Sequence, residues 1–372
     1  MLPLMRRLCA TAAIGVCLVT NVQVQNPIVQ SEFVYENASF PSAHASTIVE
    51  TRDGLVAAWF GGTAERNPDV GIWVARHDGK QWSPPVEVAN GVQPDGTRLP
   101  CWNPVLFQPP NAPLVLFYKV GPNPRTWWGL VRTSPDAGRT WSEPATLPDG
   151  ILGPIRAKPL LMADGTLLAG SSTEHDGWIV HMERYTPGPA SPKPPADGGP
   201  ASPKPPGEGG WTTAAIANPK AWEKTGPLNH AKDFGAIQPT ILVHSPTRLQ
   251  ILNRSQQQVI TEAWSEDGGR TWGRMTATAL PNPSAGIDAV RLQDKRFALI
   301  YNPTPKGRER LEIALSADGK AWRRGVELEN SSPGEYSYPA MIQTRDGMIH
   351  ATYTWQRKRI KHVVIDPSRL RE

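Results

Sequence analysis

The stretch SPDAGRTW at residues 134–141 follows the pattern S-x-D-x-G-x-T-W, and SEDGGRTW at residues 265–272 repeats it in full. Shortened copies, DGKQW and SADGKAW, stand at residues 78–82 and 316–322. An Asp followed closely by Gly suits a tight hairpin turn, because the carboxylate accepts backbone N–H bonds and Gly supplies a positive φ. The Trp is large enough to wedge between neighbouring sheets. A signature that recurs in this way predicts repeated supersecondary units, and it serves folding rather than catalysis.

The signature resembles the Asp-box of the sialidase superfamily, and the chain is most similar to the sialidase-like proteins known as predicted neuraminidases. The interval from Asp78 to Asp136 is similar in length to that from Asp267 to Asp318, and each suits one four-stranded blade. The interval from Asp136 to Asp267 is twice a blade once a repetitive insert is set aside, which indicates two blades with one box missing. The resemblance and the spacing predict an all-β, six-bladed β-propeller with Asp-box hairpins, forming one domain over residues 26–372.

The repetitive insert consists of PASPKPPADGG at residues 189–199 and PASPKPPGEGG at residues 200–210. Pro and Gly dominate it, and such a composition cannot bury a core. We therefore expect a disordered insert over residues 187–210. The simplest interpretation is a duplication within a surface loop, and the alternative is a flexible lid or a Pro-rich arm that binds a partner.

The N-terminus has the pattern of a targeting segment. Arg6 and Arg7 precede the apolar stretch CATAAIGVCLV at residues 9–19, which is too short to span a bilayer comfortably. This pattern predicts a signal peptide over residues 1–25 and export to the periplasm or beyond the cell, without a stable membrane anchor. A retained anchor is the alternative.

Composition excludes several classes of function. The formal net charge of +5 is compatible with an acidic substrate but does not indicate nucleic-acid binding. The sequence contains no C-x-x-C, H-E-x-x-H or Walker-type pattern, so neither a metal nor another cofactor is predicted. Beyond the N-terminal segment only Cys101 remains, which allows no internal disulfide and suits a small buried residue. The partner we expect is an acidic glycan or glycoconjugate.

The resemblance also implies a site. In sialidases three arginines bind the substrate carboxylate, a Tyr paired with a Glu attacks the anomeric carbon, and an Asp is the acid/base. Here His44 stands where the first Arg would be, and Gln238 stands where the Glu would be. The third Arg matches either Arg308 or Arg310. Trp102 lies in a turn-rich stretch and could stack on a sugar ring. The predicted catalytic residues are His44, Asp69 and Tyr336, and the predicted substrate-binding residues are Arg66, Trp102, Gln238, Arg254, Arg308 and Tyr338.

Three functions are compatible with these residues. An exo-acting glycosidase of sialidase type removes a terminal sugar from an acidic glycan. It is favoured by Asp69, Arg254, Arg308 and Tyr336. A uronate-directed lyase, or a rhamnosidase-like enzyme acting on rhamnose–glucuronate linkages, is favoured by His44 and Gln238. In a lyase, His44 could abstract the proton next to a uronate carboxylate. A non-catalytic propeller that binds glycans is the third.

Overall fold

The computed structural model describes residues 25–188 and 209–370. The predicted signal peptide and the predicted disordered insert fall almost entirely outside these residues. Within the described residues, no helix is long and apolar enough to cross a membrane. The described chain forms six four-stranded antiparallel sheets in a ring, which confirms the predicted six-bladed β-propeller.

The strands of each blade are counted outward from the channel. They are consecutive in the chain in every blade except blade 6. After β1 (Ile28–Phe33), blade 1 comprises β2 (Ser42–Thr51), β3 (Gly54–Gly62), β4 (Gly71–His77) and β5 (Val86–Ala89). Blade 2 comprises β6 (Cys101–Phe107), β7 (Leu114–Val120), β8 (Trp128–Ser134) and β9 (Ala145–Thr146). Blade 3 comprises β10 (Leu160–Leu161), β11 (Leu167–Thr173), β12 (Ile179–Tyr185) and β13 (Trp222–Thr225).

The second half of the ring repeats this order. Blade 4 comprises β14 (Ala236–Val243), β15 (Leu249–Ser255), β16 (Val259–Ser265) and β17 (Thr276–Pro281). Blade 5 comprises β18 (Asp288–Arg291), β19 (Phe297–Tyr301), β20 (Arg310–Ser316) and β21 (Arg323–Asn330). Blade 6 contains β22 (Tyr336–Gln343), β23 (Ile349–Trp355) and β24 (Arg359–Ile365). The described helices are short: α1 (Thr213–Ile216) and the 3-10 turns Gly209–Trp211, Pro219–Ala221 and Pro367–Arg369.

The ring is closed by both ends of the described chain. β1 pairs with β24 and completes blade 6, in the register Ser31 to Val363 and Phe33 to Lys361. The expectation that the last strand would close a blade with N-terminal residues is therefore confirmed. This closure covers the edge strand that blade 6 would otherwise expose.

The Asp-box signature forms the turn between the third and fourth strands of blades 1, 2, 4 and 5. The carboxylate of Asp136 accepts hydrogen bonds from Ser134 Oγ (2.8 Å), the backbone N–H groups of Arg139 (3.0 Å) and Thr140 (2.8 Å), and Thr140 Oγ1 (2.6 Å). Asp267 makes the same set of contacts in blade 4. Every partner lies within four residues of the Asp, so the sequence alone is enough to specify this turn.

Candidate functional site

A polar cleft of about 360 Å³ lies at the end of the channel away from the Asp-box turns. All six predicted substrate-binding residues line it. The complete lining consists of Glu65, Arg66, Trp102, Asn103, Pro124, Trp127, Glu174, Trp178, Gln238, Arg254, Pro283, Ser284, Arg308 and Tyr338. These residues come from all six blades or their connections, although they are far apart in the sequence.

Backbone bulges at the start of the inner strands direct side chains into this cleft. Asn103, Gln238 and Tyr338 have positive φ values of 38°, 59° and 51°, and each lies at an irregular step in the pairing of its inner strand. Ala45 has the same conformation in blade 1. In blades 2, 4 and 6 the residue that follows is Pro, which has no N–H to continue the ladder. Positive φ in non-Gly residues concentrates at functional sites, so these bulges independently mark the cleft.

Arg254 is the central basic residue of the cleft. Its Nη1 donates hydrogen bonds to the phenol oxygen of Tyr338 at 2.7 Å and to the backbone oxygen of Ser284 at 3.2 Å. The guanidinium carbon lies 5.0 Å from the ring centroid of Trp178 and 5.3 Å from that of Tyr338. The Nε atom is buried and has no hydrogen-bond partner among the described residues. A buried donor without a partner is unfavourable, which makes this N–H a candidate for contacting a ligand.

Two further arginines reach the same cleft. Arg308 pairs with Glu335 at 3.3 Å, and its guanidinium carbon lies 5.8 Å from the Tyr338 ring. Arg66 projects from an exposed loop with a φ of 79°. The amide oxygen of Gln238 is buried and has no hydrogen-bond partner within the described part of the chain. The cleft therefore combines positive charge with an acceptor that a ligand hydroxyl or amide N–H could satisfy.

The carboxylates around the cleft differ in their pairing. Glu65 forms an ion pair with Arg357 at 2.5 Å, and Glu335, which lies behind the lining, pairs with both Arg357 (2.6 Å) and Arg308. Glu174 forms no ion pair with any described residue. Burial raises the pKa of Glu174, against the opposing effect of the Arg254 charge and a hydrogen bond from Trp178. Glu174 was not predicted from the sequence, because a Glu in the polar turn between β11 and β12 carries no distinguishing local pattern.

The three predicted catalytic residues do not line the cleft. His44 is 2% exposed and lies one layer below, with its ring centroid 4.1 Å from that of Tyr338 and its Nδ1 2.9 Å from Thr354 Oγ1. Burial, reinforced by the charges of Arg357 and other arginines, holds the pKa of His44 well below its usual value. The ring is therefore neutral and supports Tyr338 from beneath. This position does not suit the predicted acid/base role.

Asp69 stabilises its own loop. Its Oδ2 accepts hydrogen bonds from the backbone N–H of Thr63 at 2.8 Å and from Thr63 Oγ1 at 2.6 Å. Burial would raise the pKa of Asp69, but the two bonds from Thr63 outweigh it and hold that pKa below its usual value. A carboxylate used in this way, outside the cleft lining, does not suit the acid/base role that the resemblance implied.

Tyr336 is also placed differently from the prediction. Its side chain is 2% exposed and packs in the hydrophobic core shared by blades 5 and 6. Its hydroxyl contacts Ser331 Oγ at 2.5 Å and accepts a hydrogen bond from Gln356 at 3.2 Å. The bulge after Ser337 turns Tyr338, rather than Tyr336, into the cleft. The tyrosine hydroxyl that meets Arg254 in the cleft is therefore that of Tyr338.

A network of buried charges forms the floor under Tyr338. Arg156, from the irregular segment before β10, donates hydrogen bonds to the backbone oxygens of Ile287 in blade 5 and Pro339 in blade 6. Its guanidinium carbon lies 5.4 Å from the Tyr338 ring centroid, and burial lowers the pKa of Arg156 to about 10. Nearby, Lys158 Nζ pairs with the buried Asp288 at 2.8 Å. Residues of blade 3 thus cross the channel and fix the segment that carries Tyr338.

Tryptophan side chains form the other wall of the cleft. Trp102 is almost fully buried and donates its indole N–H to the backbone oxygen of Gly121 at 2.8 Å. Trp127 packs against it with the ring centroids 5.9 Å apart. Trp178 is half-buried and flanks Arg254. A half-exposed aromatic face beside an arginine can bind both the apolar face of a sugar ring and an acidic substituent.

Two larger hollows, of about 560 and 590 Å³, lie near the Asp-box turns at the other end of the strands. The first is lined by turn residues such as Asp53 and Arg139, which already form an ion pair at 2.6 Å. The smaller cleft is the better candidate for a functional site, because the strained backbone positions and the unpartnered polar atoms of the inner strands converge there.

The fold and this cleft define a sialidase-like propeller. The family model described as BNR repeat-like domain matches residues 53–199 and 206–351, and the chain belongs to this family. No curated protein matches the chain. The solved structures that it resembles share little sequence identity with it, so these similarities concern the fold.

Three of these structures illustrate the similarity. A protein of unknown function from Dyadobacter fermentans is 17% identical with a TM-score of 0.67, and the match covers 92% of this chain and 99% of that one. The NanB sialidase of Streptococcus pneumoniae is 12% identical with a TM-score of 0.65, over 96% and 73% of the two chains. The Trypanosoma rangeli sialidase is 15% identical with a TM-score of 0.63, over 89% of this chain and 56% of its own.

Proposed function

We propose that this protein is an exo-acting glycosidase that removes a terminal, carboxylate-bearing sugar from an acidic glycan by hydrolysis. The observation that carries the proposal is the convergence of Arg66, Arg254 and Arg308 on one small cleft beside Tyr338 and Trp178. Like charges that face one another are unfavourable unless an anion lies between them, so the cleft is suited to a carboxylate. We also propose that the protein is exported, as its N-terminal pattern predicts.

The size of the cleft favours an exo-acting enzyme. A volume of about 360 Å³ lies near the lower end of ligand pockets, which range over about 300–1,000 Å³. A space of this size suits one terminal sugar better than an internal segment of a long chain. Arg254 would bind the carboxylate through its Nε and the Trp178 face would contact the ring, while Gln238 would accept a hydrogen bond from a hydroxyl or amide.

Tyr338 is the residue that we assign to attack the anomeric carbon. Arg254 donates a hydrogen bond to its phenol oxygen, so negative charge that develops on this oxygen is stabilised by a fixed cation. Its ring is supported from below by His44 and Arg156. Such support limits the motion of a nucleophile and holds it in a reactive orientation.

One observation favours binding without cleavage as a second candidate. Gln238 offers an amide where sialidases have a Glu to polarise the Tyr, and no described carboxylate takes a hydrogen bond from the Tyr338 hydroxyl. A lyase gains less support, because His44 is buried beneath Tyr338 and its lowered pKa makes it a weak base.

The test is an activity screen of the purified protein on sialosides and on glycans that end in a uronic acid, each beside its methyl ester. Hydrolysis releases a free sugar, whereas elimination gives an unsaturated product that absorbs in the ultraviolet. We expect hydrolysis of at least one acidic substrate and none of its ester. Binding of acidic glycans without turnover would support the second candidate instead. Absence of both binding and turnover would overturn the proposal.

A matched pair of variants tests the role of the charge. Arg254→Met removes the guanidinium beside Trp178, and Arg248→Met removes one that lies 4.9 Å from Trp264 in the same blade, outside the cleft. A hydrogen bond to a charged group is worth about 1.5–3 kcal/mol, or roughly 10- to 150-fold in affinity. We expect that loss for Arg254→Met and no change for Arg248→Met.

A further inference from the structure

We propose that Glu174, in the connection between β11 and β12 of blade 3, is the general acid of the cleft. This inference rests on the proposed glycosidase function and adds a residue to it. Glu174 lines the same cleft as Arg254 and Tyr338. It would donate its carboxyl proton to the glycosidic oxygen while the bond to the terminal sugar breaks.

The pairing of the surrounding carboxylates leads to this assignment. Among the described residues that line the cleft, Glu65 and Glu174 are the two carboxylates. The Glu65 carboxylate is bound to the Arg357 guanidinium and would have to break that ion pair to donate a proton. Asp69 lies outside the lining, where its carboxylate accepts both hydrogen bonds from Thr63. Glu174 is therefore the carboxyl group in the cleft whose protonation breaks no ion pair.

The surroundings of Glu174 suit a group that must carry a proton near neutral pH. It is half-buried next to Trp178, and burial raises its pKa. A carboxyl group beside an aromatic side chain keeps its proton to a higher pH than one in water, and it can then act as an acid. The positive charge of Arg254 lowers the pKa of Glu174, but a substrate carboxylate bound to Arg254 would neutralise part of that positive charge. Substrate binding would therefore favour the protonated form of Glu174.

Hydrolysis would take place in two halves. The proton of Glu174 passes to the bridging oxygen, which also takes the bonding pair and leaves as an alcohol. The phenol oxygen of Tyr338 supplies a pair to the anomeric carbon and loses its proton to solvent. In the second half, water oxygen replaces the phenol oxygen, water gives one proton to the Glu174 carboxylate, and Tyr338 regains its proton from solvent. The net change is hydrolysis of one glycosidic bond.

The test compares two substrates with the same acidic sugar, one linked to a sugar alcohol and one linked to 4-nitrophenol. A good leaving group such as nitrophenolate needs little protonation. We therefore expect Glu174→Gln to lower kcat by roughly 100-fold or more on the natural linkage, with a much smaller loss on the nitrophenyl substrate. The basic limb of the pH profile should disappear at the same time. Glu65→Gln, from the same cleft, should lower both rates by the same factor.

The outcomes separate this inference from the proposed function. If the wild-type protein hydrolyses both substrates and Glu174→Gln loses equal activity on both, the acid role is wrong and the glycosidase proposal stands. If the wild-type protein hydrolyses neither, both proposals fail. Should Glu174→Gln not fold, Glu174→Asp supplies the same comparison, because its shorter side chain should again slow the natural linkage more than the nitrophenyl one.

Discussion

Asp288 joins four blades at the floor of the cleft, and its replacement by Asn offers a sharp test of the fold. The carboxylate is 1% exposed. Its Oδ1 accepts hydrogen bonds from Thr240 Oγ1 at 3.0 Å and Ala289 N at 2.9 Å, and its Oδ2 accepts bonds from Lys158 Nζ and Met341 N, each at 2.8 Å. The partners belong to blades 3, 4, 5 and 6, so this one side chain links four of the six blades.

Asn has the same shape as Asp, so no cavity is created, but one oxygen becomes an NH₂ group. On the Oδ2 side the NH₂ would meet two donors, Lys158 Nζ and the N–H of Met341. On the Oδ1 side it would meet the N–H of Ala289 and the Thr240 hydroxyl, which can accept a hydrogen bond in place of donating one, but Lys158 then loses its charged partner. A buried polar group left without a partner costs about 1–3 kcal/mol, and removing one partner of a buried ion pair costs about 3–5 kcal/mol. Since Lys158 is partly exposed and water can still reach it, we expect Asp288→Asn to lower the free energy of unfolding by about 3–4 kcal/mol.

Chemical unfolding, followed by tryptophan fluorescence, measures this loss. Asp294→Asn is the matched control, because Asp294 lies in the same blade and pairs with Arg296 at the surface. An exposed pair contributes about 0–1 kcal/mol, so the control should unfold close to the wild-type protein. If Asp288→Asn and Asp294→Asn had the same small effect, the idea that Asp288 holds four blades together would be refuted.

Three further predictions concern the cleft, the Asp-box and acid stability. Tyr338→Phe should abolish hydrolysis, whereas Tyr336→Phe should leave turnover unchanged in the same assay. Asp136→Ala, which removes the acceptor of one Asp-box turn, should lower the unfolding free energy by about 1–3 kcal/mol without changing affinity for an acidic glycan. Burial lowers the pKa of His350 to about 4, from about 6.5 in the unfolded chain. As pH falls from 6.5 to 4 the unfolded state therefore takes up a proton that the folded state does not, and stability decreases; His350→Gln should flatten this decrease in unfolding measured at pH 7 and pH 5.

The fold could be predicted from the sequence because the Asp-box is local. Asp136 binds groups no more than four residues away, so its pattern of spacing survives as a readable motif. Part of the cleft lining, including Gln238 and Tyr338, was predicted from the family resemblance, whereas Asn103 was not predicted. Asn103, Gln238 and Tyr338 each precede a Pro at the start of an inner strand, and this polar-Pro step coincides with the bulge that turns the side chain into the channel.

The sequence could not show which of the two tyrosines, Tyr336 or Tyr338, faces the cleft. Residues two apart share a face in a regular strand, so alternation alone gives both tyrosines the same direction. The bulge between Ser337 and Ala340, with φ of 51° at Tyr338, separates them. Tyr336 then turns into the core and Tyr338 into the cleft. A single backbone irregularity therefore decides which tyrosine lines the cleft.

The contacts of Arg156 show why the buried charges beneath Tyr338 were not predicted from the sequence either. Its hydrogen bonds reach Ile287 and Pro339, which are 131 and 183 residues away in the chain. Nothing in the local sequence of Arg156 distinguishes it from a surface arginine. Its role arises only when the ring closes and brings blade 3 opposite blades 5 and 6.

Two residues near Tyr338 depart from the sialidase pattern, His44 in place of an Arg and Gln238 in place of a Glu. The first removes a positive charge and the second removes a negative one. Three guanidinium groups, from Arg156, Arg254 and Arg308, lie 5.3–5.8 Å from the centroid of its ring. Arg156 supplies from beneath a positive charge that His44, being neutral, does not. Gln238 adds no negative charge to balance them, so the field at the phenol oxygen is more positive than a Glu at that position would allow. A positive field favours both an anionic ligand and an anionic phenol oxygen. Anion binding should therefore persist in this cleft in the variant Tyr338→Phe, although that variant no longer hydrolyses the substrate. An unchanged affinity for the acidic glycan in Tyr338→Phe would separate binding from hydrolysis.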